Sequence, residues 1–276
     1  MLGIIDVGGG TRDIFGAGVL DYCLDHGIRF DYCLGVSAGA SNLISYIAGQ
    51  RGRLRTFYMD YAFRDEYMSF KNYRKTGNFL DMHYIFDTLS RDDGEYPLDF
   101  DAIERSDQHF GAVATDADTG RATYFDKSHL KKNNYGILAA SACVPVVNNP
   151  LPFNGRRYVD GGLSDPIPIK KAREDGVERA VVILTRPKDF FRKPRSDYYF
   201  VFRLRSKYPK LARTFSKRAE TYNRELRQIL REDPNETLVI APESTLNMNA
   251  LKLDKEKMQH LYDEGYQKGA LIEQWL

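Results

Sequence analysis

Five residues, Gly35-Val36-Ser37-Ala38-Gly39, constrain this chain more than any other stretch of it. A strand-like run, residues 30–36, precedes the serine, and a helix-like run, residues 38–49, follows it. A serine at so tight a strand-to-helix turn is forced into a strained backbone conformation, and its neighbours two positions away, Gly35 and Gly39, must be very small to avoid collision. The turn lifts the hydroxyl out of the sheet and sets it at a helix N-terminus, where the peptide dipoles favour a developing anion. The plainer reading is a glycine- and serine-rich helix start with Ser37 as its N-cap. The rest of the chain has to decide between them.

Residues 2–7 read as a short apolar strand, 8–13 as a glycine-rich turn, and 14–28 as a helix with Gly27 as its stop. With the strand and helix around Ser37 this makes a βαβα opening. It predicts an α/β fold with a mainly parallel central sheet flanked by helices. Residues 50–100 read as helices with loops. Residues 109–120 and the run that follows look like strand, turn and strand. Residues 134–147 read as a helix ending at a proline, and 156–162 as a short strand running into a glycine turn. Residues 179–187 and 236–242 read as buried strands, and the tail as an amphipathic helix. Residues 135–153 are uncharged, but Pro145, Pro150 and Pro152 break them, so they are predicted to be a buried helix and a loop and not a membrane span. No repeat or linker is visible. One domain is expected: a catalytic core over 3–173, and residues 174–276 completing the same fold, with a basic helical segment at about 188–235.

A nucleophilic serine needs a base. The five histidines, His26, His83, His109, His129 and His260, are scattered, and none sits in a convincing turn. A carboxylate does: Asp160 ends an apparent strand and is followed by Gly161 and Gly162, which let another segment approach closely. Alone, this is commonly just a turn. The third piece is Gly8-Gly9-Gly10, again after a strand and before a helix. Such a run presents backbone N–H groups that bind an anion, either phosphate or an oxyanion. A dinucleotide fingerprint would need glycine at position 13, where Asp13 would repel a pyrophosphate, so the oxyanion reading is the better one.

Taken together, "GGGTR" (8–12), "GVSAGA" (35–40), "AASACVP" (139–145) and "DGGLSDPIP" (160–168) resemble the patatin-like phospholipase family. The likeness runs from residue 3 to about 170. Two positions depart from the family pattern: Val7, where an acidic residue is frequent, and Asp13, where glycine is usual. The resemblance implies a three-layer α/β sandwich and a Ser37–Asp160 dyad in place of a triad. It implies an oxyanion hole from the run Gly8, Gly9 and Gly10, chiefly the N–H groups of Gly9 and Gly10, with Ala38 as a further donor. Arg12, Gly35, Gly39, Gly161 and Gly162 would support the site. Arg12 would bridge the glycine loop to nearby backbone, or else be a solvated surface arginine. The reaction implied is hydrolysis of a carboxylic ester of a lipid, without metal or organic cofactor. Acyl transfer through the same acyl-serine, and a low-turnover lipid-binding protein, are the alternatives.

The composition excludes little. Three cysteines, Cys23, Cys33 and Cys143, fit no zinc or redox spacing, no signal peptide is visible, and a reduced, cytoplasmic setting is expected. The net charge is only +2, yet residues 186–231 hold 15 Lys or Arg against 4 Asp or Glu, mixed with aromatics. This segment suits peripheral contact with an anionic membrane; a nucleic-acid partner is not expected, and a solvated helix face is the plain alternative. It is expected to stand apart from the chemistry. The sequence does not specify an oligomeric state.

Overall fold

The computed structural model describes residues 1–276, the side chains of Arg195 and Ser196 excepted. The chain opens with β1 (Leu2–Asp6), a 3-10 turn at Gly10–Asp13 and α1 (Ile14–Asp25). Then come β2 (Tyr32–Val36), α2 (Ala38–Ile47), α3 (Arg53–Met59), α4 (Phe70–Thr76) and α5 (Phe100–Arg105). The hairpin β3 (His109–Asp116) and β4 (Ala122–Asp126) leads to α6 (Gly136–Ser141), β5 (Leu151–Phe153), β6 (Arg156–Asp160) and α7 (Ile169–Glu174). Last are β7 (Arg179–Ile183), α8 (Tyr198–Leu204), α9 (Pro209–Ile229), β8 (Thr237–Ile240) and α10 (Lys255–Trp275).

One sheet runs in the order β5-β6-β3-β2-β1-β7-β8, with β4 also on β3. The strands β3, β2, β1, β7 and β8 are mutually parallel, and β4, β5 and β6 are antiparallel additions at one side. A parallel strand covered on both faces reads as a continuous apolar run. Accordingly Ile4 and Ile5 are both fully buried, but in different layers. Ile4 joins a core with α1, α2 and α10, whereas Ile5 joins one with α7 and α9. On α9 the buried residues Leu211, Phe215, Tyr222, Leu226 and Ile229 recur at helical spacing. The first and last helices touch at backbone level: a Cβ on Gly18 would lie 2.2 Å from Tyr262 O, and one on Gly265 2.0 Å from Phe15 O. Among the described residues no helix is long and apolar enough to cross a membrane.

The predicted helix at 134–147 is shorter. It stops at Ser141, ahead of Pro145, and Asn148 then pairs both its amide atoms with the backbone of Leu80.

The register of β3 brings the site together. β2 pairs with residues 109–113 of β3, and β4 with 111–115, so these two occupy opposite edges. β6 pairs with 114–116, overlapping β4, so it shares the edge of β2. Two strands of opposite direction therefore meet end to end. β2 finishes with Val36 opposite Val113, and β6 finishes with Asp160 opposite Ala114. The next residue after Val36 is Ser37.

Candidate active site

Ser37 has φ +59° and ψ −127°, in the strained region, and is 8% exposed. Ser37 stands at the N-cap position of α2, but its side chain makes no capping bond, so capping does not explain the serine there. The two flanking glycines are where bulk is forbidden: a Cβ on Gly35 would lie 2.3 Å from Ala40 Cα, and one on Gly39 2.3 Å from Asp6 O. The strain is held by Ser141, whose Oγ accepts from the Ser37 N–H (2.8 Å) and donates to Val113 O (2.6 Å). Ser141 bonds where β2 and β6 both end on the same edge of β3.

Asp160 accepts a hydrogen bond on Oδ1 from the Gly162 N–H at 2.8 Å, while Thr115 Oγ1 donates to its carbonyl at 2.9 Å. Gly161 lies against β3, where a Cβ would sit 2.1 Å from Val113 O. Burial raises the pKa of the Asp160 carboxyl; hydrogen bonds from Ser37 and Gly162 and the charges of Arg218 and Arg192 pull it back. Ser37 and Asp160 are thus brought together, and among the described residues that line their cavity there is no histidine.

The glycine loop lies beside the N-terminus of α2; a Cβ on Gly8 would come within 3.2 Å of the Ala38 N. Among the described residues no acceptor meets the N–H of Gly9, Gly10 or Ala38. Gly8 is different. Its N–H donates to Asp6 Oδ1 at 3.1 Å, and its carbonyl accepts from Thr185 Oγ1 at 2.6 Å. Gly8 therefore anchors the loop and drops out of the expected donor set. Thr11 clips the other end: its N–H donates to Ala250 O, and its Oγ1 to Asn249 O and Lys252 O. Under the loop, Asp6 and Asp13 face each other in full burial. Asn42 Nδ2 donates to Asp6 Oδ2 and to Asp13 O, and Tyr58 Oη donates to Asn42 Oδ1. Burial raises both carboxyl pKa values, that of Asp6 to about 6, and two buried carboxyls in contact hold a proton between them. Asp13 points into this plug beneath the loop.

Arg12 meets neither expectation. It is 4% exposed, and its Nε and Nη1 have no partner. It lines a cavity of about 320 Å³ that also takes in Ser37, Ala38, Gly9, Gly10 and Asp160. Apolar side chains from residues 44–98 and 138–147 form much of the wall, among them Ile44, Phe57, Met82, Phe86 and Leu138. The basic segment reaches the same cavity, which Arg186, Arg192, Phe200, Phe215, Arg218 and Tyr222 help to line. The sequence signal for this was the interleaving of aromatics and arginines. Arg186 stacks on Phe190, Arg192 on Tyr222 and Arg218 on Phe215.

A family model described as patatin-like phospholipase matches residues 7–173, more than half of the chain. The chain belongs to the patatin-like phospholipase family. A second model, a domain of unknown function (DUF6363), matches residues 208–273. The uncharacterized protein YjjU of Escherichia coli (strain K12) is 32% identical over 199 residues, covering 70% of this chain. The chain spans 54% of that relative's length. Among solved structures, VipD from Legionella pneumophila superposes with a TM-score of 0.51 at 13% identity. The alignment covers 98% of this chain and 66% of VipD, a likeness of fold. Both the elbow and Asp160 fall inside the patatin-like segment.

Proposed function

We propose that this chain is a serine acyl hydrolase that cleaves carboxylic esters of lipids through a Ser37–Asp160 dyad. The observation that carries the reading is the strained Ser37 facing a half-buried Asp160 in an apolar-walled cavity with no histidine among the described residues that line it. Ser37 Oγ attacks the ester carbonyl carbon while Asp160 takes its proton. The oxyanion is met by the N–H groups of Gly9, Gly10 and Ala38; one such donor is typically worth about 3 kcal/mol of transition-state stabilisation. The tetrahedral intermediate collapses, the alkoxide leaves with the proton from Asp160, and an acyl-serine remains. Water then attacks the acyl carbon, Asp160 takes the water's proton, and the acid departs as Ser37 recovers its hydrogen. The apolar wall and the family support a lipid acyl group.

The test is covalent. A fluorophosphonate probe is expected to label the wild type at Ser37 and to leave a folded Ser37→Ala protein unlabelled. Asp160→Asn is expected to lose turnover of p-nitrophenyl butyrate nearly as fully, and the double variant to be no worse than either single one. Labelling that persists in Ser37→Ala would overturn the assignment. Products formed with and without glycerol separate hydrolysis from acyl transfer.

Peripheral membrane contact belongs to the same proposal. Tyr198, Tyr199 and Phe202 on α8 are each more than half exposed, and Arg203, Arg205 and Lys207 follow them directly.

A further inference from the structure

Five arginines line the cavity; Arg53 donates to Tyr96 O and Ser90 Oγ, and the other four come from three separate parts of the chain. Arg12 comes from the glycine loop, Arg186 and Arg192 from the segment after β7, and Arg218 from α9. The Nε of each is buried without a hydrogen-bond partner, and Arg12 also has Nη1 unmet. Among the described residues, Arg218 has Asp197 at 3.9 Å, whereas no carboxylate pairs with Arg12, Arg186 or Arg192. The acids that face the group are Asp160, which feels Arg218 and Arg192; Asp197; and Asp13, which shares a proton with Asp6. Burial and mutual repulsion push the Arg12 and Arg192 guanidinium groups down to about 9. Clustering buried like charges is costly unless an anion joins them, and a guanidinium fork fits a phosphate or carboxylate.

We propose that Arg186, Arg192 and Arg218, with Arg12, form a head-group site that binds the terminal phosphate monoester of a lipid whose acyl ester lies at Ser37. The inference rests on the acyl-hydrolase reading for its ester, but the binding it asserts is independent of turnover. A phosphate dianion offers enough acceptors for several arginines at once, and a neutral or zwitterionic head group leaves the cluster's charge uncancelled. The site also gives work to the segment of unknown function. Arg218 and Tyr222 lie within residues 208–273, whereas Ser37 and Asp160 lie within 7–173. Head-group recognition and ester cleavage would thus be divided between the two matched segments.

The experiment is equilibrium binding to Ser37→Ala, which cannot turn over, at fixed salt and below micelle formation. The probes are 1-oleoyl-glycerol 3-phosphate, 1-oleoyl-glycerol and inorganic phosphate. The phosphorylated lipid is expected to bind at least about tenfold more tightly than the neutral one, and Arg192→Gln or Arg218→Gln in the same background to erase most of that preference. Arg192→Lys is expected to restore only part of it, because a point charge lacks the planar fork. Equal binding of the two lipids overturns the proposal without recourse to any arginine variant. So does a preference that survives both glutamine variants, or inorganic phosphate binding as tightly as the acylated probe, which would assign the cluster to free phosphate. Failure of Ser37 to react with a fluorophosphonate would strike the hydrolase reading and leave these binding results standing.

Discussion

In the proposed dyad Asp160 carries the acid sensitivity: its carboxyl must be ionised to take the Ser37 proton, and desolvation raises its pKa above the ordinary 3.8. As pH falls the carboxylate gains a proton and loses its function as a base. The acid limb of kcat/KM for p-nitrophenyl butyrate is therefore expected above 3.8, and a pH–rate profile measures it. An acid limb at or below that value would mean that the site is more hydrated than its burial implies. Gly10 belongs to the same scale. Its φ is +60°, and a Cβ there would lie 2.0 Å from Ala250 O. Gly10→Val is accordingly expected to lower Tm and kcat together. The backbone collision comes before any shielding of the oxyanion donors, and thermal melts beside kinetics separate the two.

At the level of elements, the plug under the glycine loop ties folding to pH. Asp6 keeps its proton up to about 6 in the folded protein, and burial and the facing carboxyl raise Asp13 well above its ordinary value, against 3.8 for an unfolded chain. The folded state thus binds more protons across that interval, so this contribution is complete below 3.8 and is lost as pH rises through about 6. Asp13→Asn is expected to flatten that part of the pH dependence, as read by urea unfolding of both proteins at about pH 4.5, 5.5 and 7. The elbow was legible in the sequence because everything that makes it is local: one serine, two glycines and a strand-to-helix change within a few residues. Asp160 was legible only as a turn, and gained meaning through the order of the other motifs. The β3–β4 hairpin and β6 were legible as strands, but β5 was not. β5 has three residues with Pro152 at its centre, and its pairing with β6 is tertiary. Nor was the inward turn of Arg186, Arg192 and Arg218: the interleaved aromatics were its one signal, and a run of arginines looks the same whether water or a cavity faces it. Ser141 stood inside a quoted motif, yet its bond to the Ser37 N–H depends on how β3 separates β2 from β6.

For the whole molecule, the charge of the basic segment divides in two. Arg186, Arg192 and Arg218 turn inward to the cavity, while Arg203, Arg205 and Lys207 stay at the surface beside the exposed Tyr198, Tyr199 and Phe202. Each cation near an anionic bilayer is worth roughly 1 kcal/mol, and salt screens it within about 8–10 Å. Replacing Arg203, Arg205 and Lys207 by Gln is expected to weaken sedimentation with anionic vesicles at low salt by tenfold or more, on the order of 3 kcal/mol at most. Equal binding of wild type and variant, to anionic and neutral vesicles alike, would remove membrane contact from the proposal. The clip at Thr11 has a consequence in time. It joins residues 238 and 241 positions apart, so a ribosome will have made the whole elbow and Asp160 long before the loop that is to meet the oxyanion can be fastened. Under the proposed dyad, a nascent chain would hold Ser37 and Asp160 through most of its synthesis without the fastened loop, and a product that stops short of residue 249 would lack the clip altogether.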